Sequence, residues 1–130
     1  MKSRIVADAA PAPMPMFSQA VRKGPILAVS GQGGAHPVTG EFSTDVTEQT
    51  RQTLENLRAI LEAAGSSFED VVMLRVYLTT RDDFAAMNGA YAEFMSLHVP
   101  SGILPSRTTV FPELPLPQML VEIDALAVVE

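Results

Sequence analysis

Residues 119 to 129 form an apolar run bounded by Pro117, and a carboxylate, Glu122, stands inside it. Such a run reads as a strand. The middle of an apolar strand is a costly place for a carboxylate unless it is paired or has chemical work to do. Upstream, Thr108-Thr109-Val110-Phe111 are β-formers that follow an irregular Pro/Gly segment, so Arg107 sits where irregular chain enters a strand. A permanent cation that can grip a carboxylate, together with a semi-buried acid, points to a small-molecule site.

The rest of the chain divides into alternating strand and helix patterns. Residues 7 to 15 are rich in Ala and Pro and read as an extended lead-in. Phe17 to Val21 and Ile26 to Ser30 are expected as two short strands around a Lys23-Gly24-Pro25 turn. Gly31-Gln32-Gly33-Gly34 and His36 to Gly40 then read as loop. A helix is expected from about Asp45, whose spacing to Glu48 is that of a capping box. Val46, Thr50, Leu54, Leu57, Leu61 and Ala64 make its apolar stripe, and Gly65 is a good stop.

Val71 to Thr80 reads as a strand with two unlike faces. Val72, Leu74, Val76 and Leu78 form a wholly apolar face, and Val71, Met73, Arg75 and Tyr77 a mixed one. A second helix is expected from just after Asp82 to about Leu97, with Phe84, Met87, Tyr91, Phe94 and Met95 as its stripe and Asn88 beside it. The expected order is β-β-α-β-α-β-β in one domain spanning 1–130. Two helices on one face of a sheet make a two-layer α+β domain. The other sheet face needs a cover, and an apolar one invites a partner subunit.

Composition narrows the function. A chain of 130 residues buries about two-thirds of its unfolded surface. Apolar residues make up 47% and charged residues 18%, a composition that is apolar for so small a domain and suits self-association. The net charge of −6 and the lack of any basic run argue against nucleic-acid and anionic-membrane binding. No secretory leader or membrane span is expected. The absence of cysteine excludes thiolate catalysis, disulfides and Cys-ligated zinc, and fits a cytoplasmic protein. His36 and His98 lack metal-ligand spacing and read as ordinary loop residues, which leaves metal and histidine-triad chemistry without support.

Several ordered segments together resemble the RidA/YjgF family of reactive-intermediate deaminases. They include Phe17-Ser18-Gln19-Ala20, Val29-Ser30-Gly31-Gln32, Pro37-Val38-Thr39-Gly40, Gln49-Thr50 and Leu54-Glu55-Asn56-Leu57. The likeness continues through Ile60 to Gly65, Asp70-Val71-Val72, Asp83-Phe84 with Asn88 and Tyr91, Pro105-Ser106-Arg107 and Val121-Glu122-Ile123. The resemblance implies a chorismate-mutase-like α+β fold, a homotrimer with sites in the clefts between subunits, and no cofactor. It implies hydrolysis of enamines and imines such as 2-aminoacrylate and 2-iminopropionate to 2-keto acids and ammonia.

Carried over by position, the resemblance makes Arg107 the anchor of the substrate carboxylate and Glu122 the acid that holds the attacking water. It places Phe17, Ser30, Gly31, Asn88 and Thr109 at the substrate. Five of these have a plainer alternative: a surface or interface salt bridge for Arg107, a subunit-interface ion pair for Glu122, a bare turn for Gly31, a local backbone bond for Ser30 and a helix-packing bond for Asn88. Two positions depart from the archetype. Phe17 replaces a tyrosine, which makes that wall more apolar, and Thr109 replaces a common cysteine, whose backbone contacts would survive. The segment Val99 to Leu104, with Ile103 and Leu104 near Arg107, suggests room for a bulkier substrate. A deaminase of a larger, aminomuconate-like enamine, a non-catalytic trimeric metabolite-binding protein and an endoribonuclease are the competing readings.

Overall fold

The computed structural model describes residues 1–130. Its elements run β1 (Ser3–Ile5), β2 (Ala20–Lys23), β3 (Ile26–Gly33), α1 (Val46–Ala63), β4 (Val71–Leu78), α2 (Phe84–His98), β5 (Ser106–Val110) and β6 (Val121–Val128). The six strands form one sheet in the order β1-β2-β3-β6-β4-β5. All neighbours are antiparallel except β4 and β5, which are parallel and joined through α2. Both helices cover one face, giving the expected two-layer α+β fold, and no helix is long and apolar enough to cross a membrane.

Most elements follow their sequence signals. Asp45 caps α1, its carboxylate accepting from the Glu48 N–H at 3.4 Å. Gly65, at φ +72°, closes the helix: its N–H reaches the Glu62 carbonyl at 2.9 Å and the Ser66 N–H the Leu61 carbonyl at 2.8 Å. This pair of bonds satisfies carbonyls that a helix end otherwise leaves open. The core lies between helices and sheet, with Leu27, Leu54, Leu57, Ile60, Leu61, Leu74, Val76, Leu78, Met87 and Ile123 fully buried.

Three expectations need correction. Phe17 lies before β2, which begins at Ala20, and a further short strand, β1, pairs with it. Instead of ending at Ser30, β3 continues to Gly33, because a bulge between Val29 and Gln32 absorbs Ser30-Gly31 without breaking the pairing to β6. A second irregularity, between Val71 and Met73, turns Val71 into the core and leaves Val72 exposed, so β4's apolar face starts at Leu74 rather than Val72.

The buried face of α1 is partly polar, and those groups hold the sheet's irregular ends. Gln49 is fully buried. Its amide donates to the Ser43 carbonyl at 2.6 Å and the Gln118 carbonyl at 2.9 Å, and its carbonyl accepts from the Leu120 N–H at 2.9 Å. Asn56 donates to the carbonyls of Gly33 and Ala35, both at 3.0 Å. The end of β3 and the start of β6 are thus tied to one helix.

Gln49→Leu would leave the Gln118 carbonyl and the half-buried Leu120 N–H without their partner. It is expected to lower stability by about 1–3 kcal/mol in chemical denaturation. A loss within about 0.5 kcal/mol, the size of an ordinary surface substitution, would mean that this tether is dispensable.

Candidate active site

Strand alternation decides where each candidate residue points. Arg107 pairs with Leu74 and Thr109 with Val76 across the parallel β4–β5 ladder, so both lie on the helix-covered side of the sheet. Glu122 pairs with Tyr77, and its neighbours Val121 and Ile123 are buried in the core. Glu122 therefore stands on the face without helices. The acid and the cation lie on opposite faces, and a single chain does not bring them together.

Around Arg107 the helix side carries an aromatic and polar group. Its guanidinium carbon lies 4.7 Å from the centre of the Tyr91 ring and 5.9 Å from that of Phe84. None of the ion pairs in the chain involves Arg107. The guanidinium hydrogen bonds belong to Arg22, Arg51, Arg58 and Arg75. Asn88 Oδ1 and Thr109 Oγ1 are buried without a hydrogen-bond partner. Buried polar atoms are normally satisfied, so two such atoms near an uncommitted cation fit a place for a ligand. β5 is the outermost strand on its side of the sheet and leaves one row of backbone groups unpaired there.

The second group gathers about the β3 bulge on the other face. A Cβ built on Gly31 would lie 2.4 Å from Glu122 Oε2 and 2.9 Å from its Cδ. Gly31 thus serves the close approach rather than a bare turn, leaving the space that the Glu122 carboxyl occupies. Ser30 Oγ donates to the Ser18 carbonyl at 2.6 Å, and its N–H to the Gln19 carbonyl at 2.9 Å. Its hydroxyl is committed within the chain, fastening the bulge to the segment after Phe17. Phe17 is 45% exposed and lines a cleft of about 260 Å³ with Ile5, Met14 and Pro15. The buried Gln19 amide holds this lead-in through Ala7 and Pro11.

Glu122 lacks a cation. Arg75, on the same face, is taken by Asp124 at 2.9 Å, and the Tyr77 hydroxyl donates to the other Asp124 oxygen at 3.0 Å. Burial, followed by the nearby Asp124 carboxylate, pushes the Glu122 pKa above its ordinary value. Such a carboxyl sits closer to neutrality than an exposed glutamate and is better suited to exchange a proton with water.

The segment after Val99 is an open surface: Ile103 is 81% exposed and Leu104 is also exposed. Tyr91, Gln49 and Asn56 were given no role by sequence reasoning, although all three lie in the segments that carried the family resemblance. The signal available for Tyr91 was its place three residues after Asn88, one helical turn along the same face. The histidines are apart from both groups. His36 Nδ1 accepts from the Val38 and Thr39 N–H groups, and His98 packs on Phe94.

Known proteins share this fold. A family model described as endoribonuclease L-PSP matches residues 7–129. A RutC family protein of Pyrococcus horikoshii is 42% identical over 129 residues, covering 98% of each chain. The 2-iminobutanoate/2-iminopropanoate deaminase of Escherichia coli is 36% identical over 128 residues, again 98% of each. The crystal structure of E. coli TdcF with bound serine superposes with a TM-score of 0.92 at 36% identity, covering 98% of this chain and 99% of that one.

The raised Glu122 pKa means that the folded chain holds this proton more tightly than the unfolded chain. That contribution to stability is complete below the ordinary glutamate pKa and is lost as pH rises through the raised value. Glu122→Gln is therefore expected to raise Tm relative to the parent at about pH 7, with the gap closing toward about pH 4. A gap independent of pH would show that the carboxyl's titration is not linked to folding.

Proposed function

The chain belongs to the RidA/YjgF family, and on that footing we propose that it is a cofactor-independent deaminase of 2-imino acids, acting as a homotrimer. The observation that carries the reading is the Arg107 guanidinium, which has no acidic partner in its own chain and shares the helix side of the sheet with Thr109, whose Oγ1, like Asn88 Oδ1 on α2, is buried and unpartnered. Such a guanidinium is suited to grip a carboxylate. The E. coli relative's name supplies the substrate class, 2-iminobutanoate and 2-iminopropanoate.

Because Arg107 and Glu122 occupy opposite faces, a complete site needs two copies, one presenting the β5 edge with Arg107 and the other its Gly31–Glu122 face. Exposed apolar residues on the helix-free face, among them Ile26, Val72, Val110 and Val128, support burial there by neighbouring copies. A closed trimer of such contacts makes three equivalent clefts.

In the proposed reaction Arg107 holds the substrate carboxylate through two parallel N–H bonds. Asn88 and the Thr109 segment orient the imine nitrogen. Glu122 takes a proton from water as the water oxygen bonds C2 and the C=N electron pair moves to nitrogen, and then gives that proton to the nitrogen. Glu122 next takes the carbinolamine's hydroxyl proton and passes it to the amine as C=O forms and the C–N bond breaks, so that imine and water give 2-keto acid and ammonia. Free imines already hydrolyse in water, so positioning and modest proton transfer suffice.

RNA cleavage, the activity in the family model's description, has less support here. The net charge is −6, and neither histidine lies with Arg107 or Glu122.

An amino-acid oxidase can generate imino acids in the presence of semicarbazide, which traps them. The protein is expected to reduce trapping. Arg107→Ala should lower kcat/KM by at least about 30-fold, as loss of a buried charged partner does. Glu122→Gln should lower it by about 100-fold or more. The parent's acid limb should lie above the ordinary glutamate range and disappear in Glu122→Gln. Trapping unchanged across small, branched and aromatic imino acids would overturn the deaminase reading in favour of ligand binding alone. Light scattering is expected to give the trimer mass, and a persistent monomer would exclude the shared site.

A further inference from the structure

We infer that Tyr91, flanked by Phe84, is the positioning residue for Arg107: its ring face holds the guanidinium in place of an acidic partner and leaves every N–H donor free for the ligand carboxylate. The inference rests on Arg107 being the carboxylate anchor proposed above.

An arginine that must receive an anion faces a conflict. Its side chain loses rotamer freedom when fixed, a cost for which most anchored arginines are compensated by a carboxylate partner. Three arginines follow that pattern: Arg51 pairs with Glu48, Arg58 with Glu55 and Glu62, and Arg75 with Asp124, whereas Arg22 bonds the Gly24 carbonyl and Arg81 stands over Phe111. An acidic partner at Arg107 would compete with the substrate and cancel the charge that recognises it. An aromatic face avoids this, because it attracts a cation through the ring quadrupole while the donors point outward in the guanidinium plane.

Tyr91 suits the task by position and by rigidity. It is 8% exposed on α2, so its ring is held by the core rather than by solvent. Phe84 sits two helical turns earlier, and its ring lies 6.1 Å from Phe111, over which Arg81 stands at 5.7 Å. Tyr91 and Phe84 thus both approach the guanidinium from α2, Phe84 being in contact with Phe111 in turn. Of the two tyrosines in the chain, Tyr77 spends its hydroxyl on Asp124, whereas the hydroxyl of Tyr91 has no bond within the chain. The ring, and not the hydroxyl, is the part of Tyr91 in use at Arg107. Burial raises the Tyr91 pKa, so the phenol stays neutral and adds no competing charge.

The test separates ring electronics from packing. Tyr91→Phe keeps the ring, and replacement of Tyr91 by phenylalanines bearing one, two and three ring fluorines weakens the quadrupole with little change of shape. For each protein the Kd for 2-oxobutanoate is measured by calorimetry, and KM and kcat for 2-iminobutanoate by semicarbazide competition, with Arg107→Ala as reference and Tm as a check on packing. Tyr91→Phe is expected within about 2-fold of the parent. Successive fluorines are expected to raise Kd and KM stepwise, to a total of about 5- to 30-fold, with kcat within about 2-fold and Tm unchanged.

Kd and KM flat across the fluorinated series, with binding abolished by Arg107→Ala, would overturn the role of Tyr91 and leave the deaminase reading intact. Stepwise loss of 2-oxobutanoate binding without any turnover would sustain the role of Tyr91 and overturn the deaminase reading. Binding and turnover that survive Arg107→Ala would overturn Arg107 as the carboxylate anchor, and with it the role of Tyr91, while the deaminase activity itself would stand.

Discussion

β6 lies between β3 and β4, and its alternation orients both halves of the site. Val121, Ile123, Ala125 and Ala127 are buried against the helices, which sends Glu122 and Asp124 to the opposite face. The same ladder runs through β4 to β5, where Leu74 and Val76 fix Arg107 and Thr109 on the helix side. A slip of one residue in β6 would put Glu122 and Asp124 in the core, and one in β5 would carry Arg107 and Thr109 to the opposite face. The register is therefore guarded by the whole hydrophobic set. Gln49 and Asn56 guard it further by holding the loop ends from below.

Within that frame the electrostatics are unequal by design of the sheet. Arg75 and the Tyr77 hydroxyl both go to Asp124, which leaves Glu122, two residues earlier on the same face, without a cation. Burial then works on Glu122 unopposed and raises its pKa. On the other face Arg107 has aromatic neighbours and no acid. Two uncompensated groups of opposite sign are kept apart by the thickness of one sheet. In a lone chain neither neutralises the other. On the proposed two-copy reading they flank a shared cleft, in which a substrate carrying one carboxylate complements only the cationic side.

The two-layer architecture was legible in the sequence because its signals are local and redundant. Asp45, Gly65 and the α1 stripe define the first helix, and the runs at 71 to 80 and 119 to 129 define the central strands. What escaped was set by pairing rather than composition. The two-versus-one matches at Ser30-Gly31 and at Val72 are visible only once β6 lies beside β3 and β4. Strand β1 is three residues long and gains its identity only from β2. Arg107 and Glu122 could be singled out as unusual residues on strands, yet the face each occupies depends on its ladder partner. Tyr91 read as one more core aromatic, since its distinguishing feature is the Arg107 side chain arriving from a strand sixteen positions later.

On the proposed reading, the division of the site between faces lets so small a chain receive a charged metabolite. A domain of this size has one core, filled here by leucine, valine, isoleucine and methionine, and that core has no room for a water-filled cavity flanked by a cation and an acid. The principal clefts of the single chain lie elsewhere, one of about 440 Å³ formed by residues 111 to 117 with Thr79 and Met119. Placing Arg107 on an edge strand and Glu122 beside a bulge moves the polar chemistry to the periphery of the packed layer. Part of the cost of desolvating Glu122 is already met in folding, where burial raises its pKa; on the proposed reading the rest falls where copies meet and a ligand enters. The core itself needs only its apolar set.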